Sequence, residues 1–200
     1  HDLQEMWDPT LAPHIWNQYH QTLERYFSIA RGLGKSPLDI LDVGCAQGTL
    51  ALLLAEQGHR VIASDLRQPF LDYASSRYEQ GTIRFVCGNA METDFKASFD
   101  LIFANQILEH LVQPVEFVSH LADYLRPGGT LVLSTPNFEY FRNSLPSFKA
   151  LVDPMQYAAR QFTADGDGHF FAYSPEELIE VGQQAGLRNL SVTPFESPLI

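Results

Sequence analysis

The stretch from Asp39 to Gly58 constrains this 200-residue chain more than any other; it reads Asp-Ile-Leu-Asp-Val-Gly-Cys-Ala-Gln-Gly-Thr-Leu-Ala-Leu-Leu-Leu-Ala-Glu-Gln-Gly. Ile40, Leu41 and Val43 predict a buried strand. Gly44, Ala46 and Gly48 follow as a turn without bulk, and Thr49 to Gln57 predicts a Leu- and Ala-rich helix with Gly58 as its C-terminal cap. A strand, a small-residue turn and a helix together hold a ligand against the helix N-terminus. The turn lets the ligand approach the backbone, and the first-turn N–H groups face it.

The spacing in the turn separates one ligand class from another. A dinucleotide site needs Gly-x-Gly-x-x-Gly, whose third glycine lets helix and strand pack closely. Here the order is Asp42-x-Gly44-x-Ala46-x-Gly48. It resembles the acidic-x-Gly-x-Gly-x-Gly turn of the class I S-adenosylmethionine-dependent methyltransferases, with Ala46 in place of the middle glycine. Alanine disfavours positive φ, which predicts a slightly less open turn.

Composition narrows the partners. The formal charge is −11, with 13 basic against 24 acidic residues and no basic run, which argues against a nucleic acid partner. No apolar run approaches the ~20 residues of a membrane span, and the polar start is no signal peptide. Cys45 and Cys87 lack CxxC spacing, so neither a metal nor a disulfide is expected and a reduced, cytoplasmic location fits. The chain begins at His1 without an initiator Met and so reads as a fragment, a processed product or a tagged chain.

In chain order, residues 1–12 read as irregular. Ile15, Tyr19, Leu23, Phe27 and Ala30 then mark an amphipathic helix from His14, ended by Gly32 and Gly34. That helix either covers a sheet face or uses Trp16, Tyr19 or His20 to close a ligand site. Further strands are expected at Arg60–Asp65, Ile83–Cys87, Phe99–Ala104, Thr130–Thr135 and Leu187–Thr193, and helices at Pro69–Gln80 and Pro114–Leu125. Arg126-Pro-Gly-Gly129 reads as a sharp reversal between the latter helix and its strand. Ser174 and Glu177 make a capping box for a last helix ending at Ala185. The fold class is therefore α/β: a doubly wound, mostly parallel, Rossmann-like sheet. Six strands are readable, and the seventh strand of the resembled fold is missing or truncated. The domain expectation is a single domain over 1–200, with 1–36 as a helical cap and 136–173 as an aromatic-rich lid insertion. That insertion holds nine aromatic residues and Asp165-Gly-Asp-Gly-His169, and its alternative readings are a homodimer surface or a packing layer.

The resemblance runs over roughly residues 38–190. Glu109-His110 with Pro114 is similar to the small-molecule branch that includes the ubiquinone-biosynthesis O-methyltransferases. So is the Gly168-His169 segment leading into Tyr173-Ser174-Pro175-Glu176-Glu177-Leu178. It implies S-adenosylmethionine as cofactor and a small-molecule acceptor, methylated at oxygen by direct in-line transfer. The implied cofactor contacts are Asp42, Gly44, Cys45, Ala46 and Gly48 of the turn, with Gly44 and Gly48 along the methionine part. Asp65 is placed on the ribose, Asn89 and Ala90 beside adenine with Leu66 on its other face, and Asn105 near the amino-acid end or the methyl. Two imidazoles, His110 and His169, are the candidate catalytic bases. In this branch Glu and His are also linked to a metal, but Gln106 stands where the branch has a second Glu. An amide is a poorer ligand for a hard cation, so no metal is expected. The alternatives are a nicotinamide-dependent dehydrogenase and a non-catalytic domain that binds the cofactor or a protein.

Overall fold

The computed structural model describes residue 10 and residues 13–163 and 168–195. The expectations for residues 1–9 and 11–12, for the Asp165–Asp167 part of the loop and for the chain after residue 195 lie outside the described residues. Two compact units emerge, one of residues 1–36 and 193–200 and one of residues 37–192. In the first, helix α1 (Pro13–Gly32) places Tyr19, Leu23, Phe27 and Ala30 at three- to four-residue spacing. The Trp16 and His20 rings lie 3.9 Å apart within that helix, and His20 Nδ1 sits 2.8 Å from the Trp16 carbonyl.

The second unit is a parallel sheet with helical connections. Its elements are β1 (Asp39–Val43), α2 (Thr49–Glu56), β2 (Arg60–Asp65), α3 (Gln68–Ser76), β3 (Thr82–Cys87), β4 (Phe99–Asn105), α4 (Pro114–Asp123), β5 (Leu125–Ser134) and α5 (Pro175–Gln184). The strand order is β3-β2-β1-β4-β5, every pair parallel. The direction of winding reverses between β1 and β4. In a doubly wound sheet that reversal opens a crevice beyond the strands' carboxyl ends. Strands this apolar are what a sheet covered on both faces requires: Ile40, Leu41, Leu101, Ile102, Phe103 and Ala104 have no exposed surface. Burying each Leu, Ile or Phe among them contributes roughly 1.5–3 kcal/mol. Leu41, Val43, Ile102 and Ala104 share one core with Phe117, Val118 and Leu121 of α4 and Val181 of α5. At the opposite, amino ends of the strands, Asp39 holds both Arg60 and Arg126, and Arg126 also reaches Asp100. None of the described helices is long and apolar enough to cross a membrane.

Three expectations change. The sixth strand over 187–193 does not form among the described residues, where the sheet has five. Asn189 takes φ 55, which breaks an extended run, and Leu190 folds back onto Gly182 of α5, where a Cβ would come within 2.9 Å of it. The helix expected to reach Gln80 stops at Ser76. Finally, Arg126-Pro-Gly-Gly129 is not a reversal ahead of the strand but lies inside β5. Leu125 pairs with Phe99 and Thr130 with Leu101, so the four residues are absorbed as a bulge. Pro127 has no N–H to give the ladder and Gly128 sits at φ 80, which suits them to that irregularity.

Residues 136–163 and 168–173 build a small aromatic layer. Phe170 and Phe171 are buried with Val112, against Phe148, Leu151 and Tyr157. Tyr157 stacks on Phe170 at 5.1 Å and Phe148 on Tyr173 at 5.5 Å. The segment is tied down by Val112 N–H, which donates to Gln161 Oε1 at 3.0 Å, and by the Tyr173 hydroxyl, which donates to the Leu108 carbonyl at 3.1 Å.

Candidate active site

The turn after β1 is organised by one carboxylate. Asp65, the last residue of β2, is only 4% exposed. Its Oδ2 accepts the Ala46 N–H at 2.9 Å, and its Oδ1 accepts Arg67 N–H at 2.9 Å and Arg67 Nε at 3.3 Å. The Ser64 carbonyl accepts Cys45 N–H, and the Cys45 carbonyl accepts Gly48 N–H. These bonds fold the turn back on β2. With two acceptor positions per oxygen, Oδ1 is saturated by Arg67 and Oδ2 keeps one position. The Arg67 guanidinium also lies 3.9 Å from the Phe70 ring centroid.

Ala46 does what its side chain opposes. It sits at φ 47, between Gly44 at φ 65 and Gly48 at φ 73, so the turn is as left-handed as an all-glycine one. The cost of a Cβ in that region is roughly 1–2 kcal/mol. Replacing Ala46 with glycine relieves it while adding unfolded-chain entropy. Ala46→Gly is therefore expected to stabilise the chain by about 0.5–1 kcal/mol, read as a raised thermal midpoint. A lowered midpoint would show that the turn is not strained.

A cavity of about 520 Å³ opens at the carboxyl ends of β1 and β2. Of the residues singled out in the sequence, Gly44, Asp65, Leu66, Asn89, Ala90, His110 and His169 form its walls. Asp42, Cys45, Ala46, Gly48 and Asn105 lie outside those walls. Asp42 is buried beneath the turn, and burial, with the Asp65 charge added, pushes its carboxyl up to about 7. Burial likewise pushes the Cys45 thiol up, with Asp42 and Asp65 adding to it. Gly48 packs on α3, where a Cβ would meet Ala74 Cβ at 2.7 Å. Asn105 Oδ1 accepts from the Ser134 hydroxyl at 3.0 Å. Asn89 is on the wall but engaged in its own turn: Oδ1 accepts Met91 N–H at 3.0 Å and Nδ2 donates to Glu92.

Sequence reasoning passed over several wall residues. Gln106 and Ile107 follow β4 directly, and a strand's carboxyl end in such a sheet was signal enough to include them. Gln106 takes φ 54, and its buried Oε1 has no hydrogen-bond partner. Ile107 lies so near Gly44 that a Cβ there would come within 2.9 Å of its Cδ1. Arg67 and the run Arg160, Gln161, Phe162 and Thr163 also line the cavity. The last four come from the aromatic layer, and no local pattern marks them.

At one end of the cavity His110 and His169 line the wall, with Glu109 buried next to them. Glu109 is completely buried; burial pushes it up to about 7 although the Thr135 hydroxyl donates to its Oε2 at 2.9 Å. Its Oε1 makes no hydrogen bond and lies 3.8 Å from His169 Nε2. His110 Nδ1 sits 3.0 Å from the Gly168 carbonyl, so Nδ1 carries the proton, and the two imidazole centroids are 5.0 Å apart. Burial lowers the His169 pKa, which keeps its ring neutral near pH 7. One ligand atom from each of the three residues lies within 4.8 Å of the others.

Residues 15–192 match a family model described as a methyltransferase domain. The chain is 32% identical over 160 residues to a ubiquinone biosynthesis O-methyltransferase of Coxiella burnetii, across 77% of this chain and 65% of that protein. Among solved structures it is similar to the magnesium protoporphyrin IX methyltransferase of Synechocystis with bound SAH. There the TM-score is 0.63 and the identity 17%, over 86% of this chain and 74% of that one. It is similar also to an S-adenosylmethionine-dependent methyltransferase of Clostridium acetobutylicum, at TM-score 0.59 and 17% identity over 72% of this chain and 60% of that one. The chain spans 38% and 65% of the lengths of two curated relatives it matches.

Proposed function

This chain belongs to the methyltransferase-domain family, and on that premise we propose that it binds S-adenosylmethionine and methylates an oxygen of a small-molecule acceptor. The observation that carries the reading is the pairing of Asp65 with the unpartnered Gln106 Oε1 on the walls of one cavity at the sheet's reversal point. Gly44 supports it: its backbone, at φ 65, lines the same cavity, and a Cβ there would press on the Ile107 side chain that also lines it. When bound, S-adenosylmethionine supplies an electrophilic methyl carbon, which the acceptor oxygen takes in line as the carbon–sulfur bond breaks and sulfur keeps the electron pair.

The chain's own residues bind, orient and move one proton. Asp65 Oδ2 accepts a ribose hydroxyl in its remaining position; accepting the second hydroxyl requires the half-exposed Arg67 side chain to swing off Oδ1. Gln106 Oε1 accepts from the ammonium at the methionine end. Leu66 and Ala90 close on adenine, and Asn89 offers its second lone pair. Asp42, Ala46 and Asn105 support the wall from behind. Arg160 to Thr163 and Gly168 to His169 form the acceptor side, and His110 Nε2 takes the acceptor's hydroxyl proton. Alignment of this kind is worth about 7–11 kcal/mol in well-oriented systems.

Asp65→Ala is expected to weaken binding of the demethylated product, S-adenosylhomocysteine, by about 1–3 kcal/mol, through the loss of a buried hydrogen-bonded pair. Calorimetry on both proteins reads it, and unchanged affinity removes Asp65 from the site. A second reading rests on the Glu109, His110 and His169 cluster, which offers three ligands to a divalent cation. Ligands on a tetrahedral ion with bonds near 2.1 Å stand about 3.4 Å apart, so their 4.8 Å spread must contract to hold one. Zinc titration followed by calorimetry distinguishes the two readings.

A further inference from the structure

The cavity has a positive group that cofactor binding does not use. Arg160 lies on the wall beside His110 and His169. Its guanidinium carbon is 4.6 Å from the centroid of the Phe170 ring, and that ring is held in place by its 5.1 Å stack on Tyr157. A cation over an aromatic face is attracted to the ring and keeps its N–H fork for a second partner. The other arginine on the wall, Arg67, is committed to Asp65. Among the described residues no carboxylate lies within ion-pair distance of Arg160. Among the described residues the carboxylate lining the cavity, Asp65, is engaged by Ala46 and Arg67, and Glu109, off the wall, is buried against Thr135 and His169.

The position of this cation relates it to the chemistry. A Cβ on Gly168 would lie 3.5 Å from Arg160 Nη2, and the carbonyl of that same residue accepts from His110 Nδ1. Guanidinium and imidazole therefore flank one peptide unit. A ligand group on Arg160 stands next to whatever His110 acts upon. The overall charge of −11 repels anions from the surface at large, so an anion that enters owes its place to local contacts.

We propose that Arg160 is the anchor of an anionic acceptor, its guanidinium on Phe170 gripping a carboxylate or phosphate while His110 faces the nucleophilic hydroxyl. This rests on the methyl-transfer reading and narrows its substrate to a small oxyanion-bearing hydroxy compound. Carboxylate and phosphate both match the guanidinium fork.

The test uses the whole chain saturated with S-adenosylhomocysteine and three fragments, benzoate, phenyl phosphate and the neutral benzamide, with dissociation constants from ligand-observed NMR. The wild-type chain should bind at least one anion about tenfold more tightly than benzamide, as a charge-assisted contact implies. Which anion wins identifies the oxyanion. Arg160→Gln should bring that preference to about twofold or less while S-adenosylhomocysteine affinity holds, and Arg160→Lys should recover part of it. Wild-type protein without an anion preference, or a preference that survives in Arg160→Gln, overturns the assignment of Arg160 alone. Failure of wild-type protein to bind S-adenosylhomocysteine overturns the methyl-transfer reading beneath it.

Discussion

His110→Ala is expected to lower turnover by about 10²–10⁴, the usual contribution of a positioned general base, with affinity for S-adenosylhomocysteine unchanged. The geometry favours this histidine over its neighbour. The Gly168 carbonyl fixes the proton on His110 Nδ1, which puts the lone pair on Nε2. His169 Nε2 instead lies 3.8 Å from the buried Glu109 carboxyl, beyond the hydrogen-bond distance that would set its tautomer. Methyl transfer from labelled S-adenosylmethionine to an acceptor that turns over gives the measurement, with affinity for S-adenosylhomocysteine as the second readout. Were His169→Ala alone to lose the rate, the base would move to that residue. Normal rates in both variants would mean that no base is used, as for an acceptor that arrives deprotonated.

Asp42→Asn should stabilise the chain above pH 7 by about 4 kcal/mol, three pKa units at 1.36 kcal/mol each, and change little at pH 4. Asp42 is 3% exposed on β1, and burial and the nearby Asp65 carboxylate hold its proton up to about pH 7. In the unfolded chain the same carboxyl ionises near its ordinary value of about 4. Between those values unfolding releases a proton, so rising pH favours the unfolded chain. The stability is present below pH 4 and is lost as pH climbs to 7. Asparagine cannot ionise and escapes the loss. Melting curves of both proteins from pH 4 to 8 should diverge steadily to roughly 10 °C and then run parallel. A constant gap across that range would show that Asp42 is ionised throughout.

Much of the fold is legible in the sequence because its signals are local. The apolar runs around Ile40, Val61 and Ile102 announce strands, and Ser174-Pro175 with Glu177 announces the start of α5, where the structure has the full capping box. The misplaced elements fail for tertiary reasons. Leu187–Thr193 has the pattern of a strand, yet Leu190 finds its packing on Gly182 rather than at a sheet edge. Arg126-Pro-Gly-Gly129 has turn chemistry, and the sheet takes it in as a bulge.

The site divides in the same way. Gly44 and Asp65 could be singled out because spacing along the chain brings them to two strand ends. Ala46 could be found but not its conformation: two bonds from the turn to β2 and one within the turn outweigh its preference against φ 47. Gln106 reads only as an amide in place of the resembled branch's second Glu until its Oε1 is found buried without a partner. Arg160 to Thr163 reach the cavity only through the packing of Tyr157, Phe170 and Phe171, which no periodicity encodes.

The central claim is that one adenosyl ligand lies across the ends of β1 and β2, its sugar on Asp65. A crystal structure of the chain grown with S-adenosylhomocysteine tests it most directly. The expected result is the ligand in the 520 Å³ cavity, a ribose hydroxyl on Asp65 Oδ2, Arg67 displaced from Oδ1 and the ligand's ammonium on Gln106 Oε1. A ligand bound elsewhere, or a pyrophosphate-bearing dinucleotide taken in its place, would contradict the account.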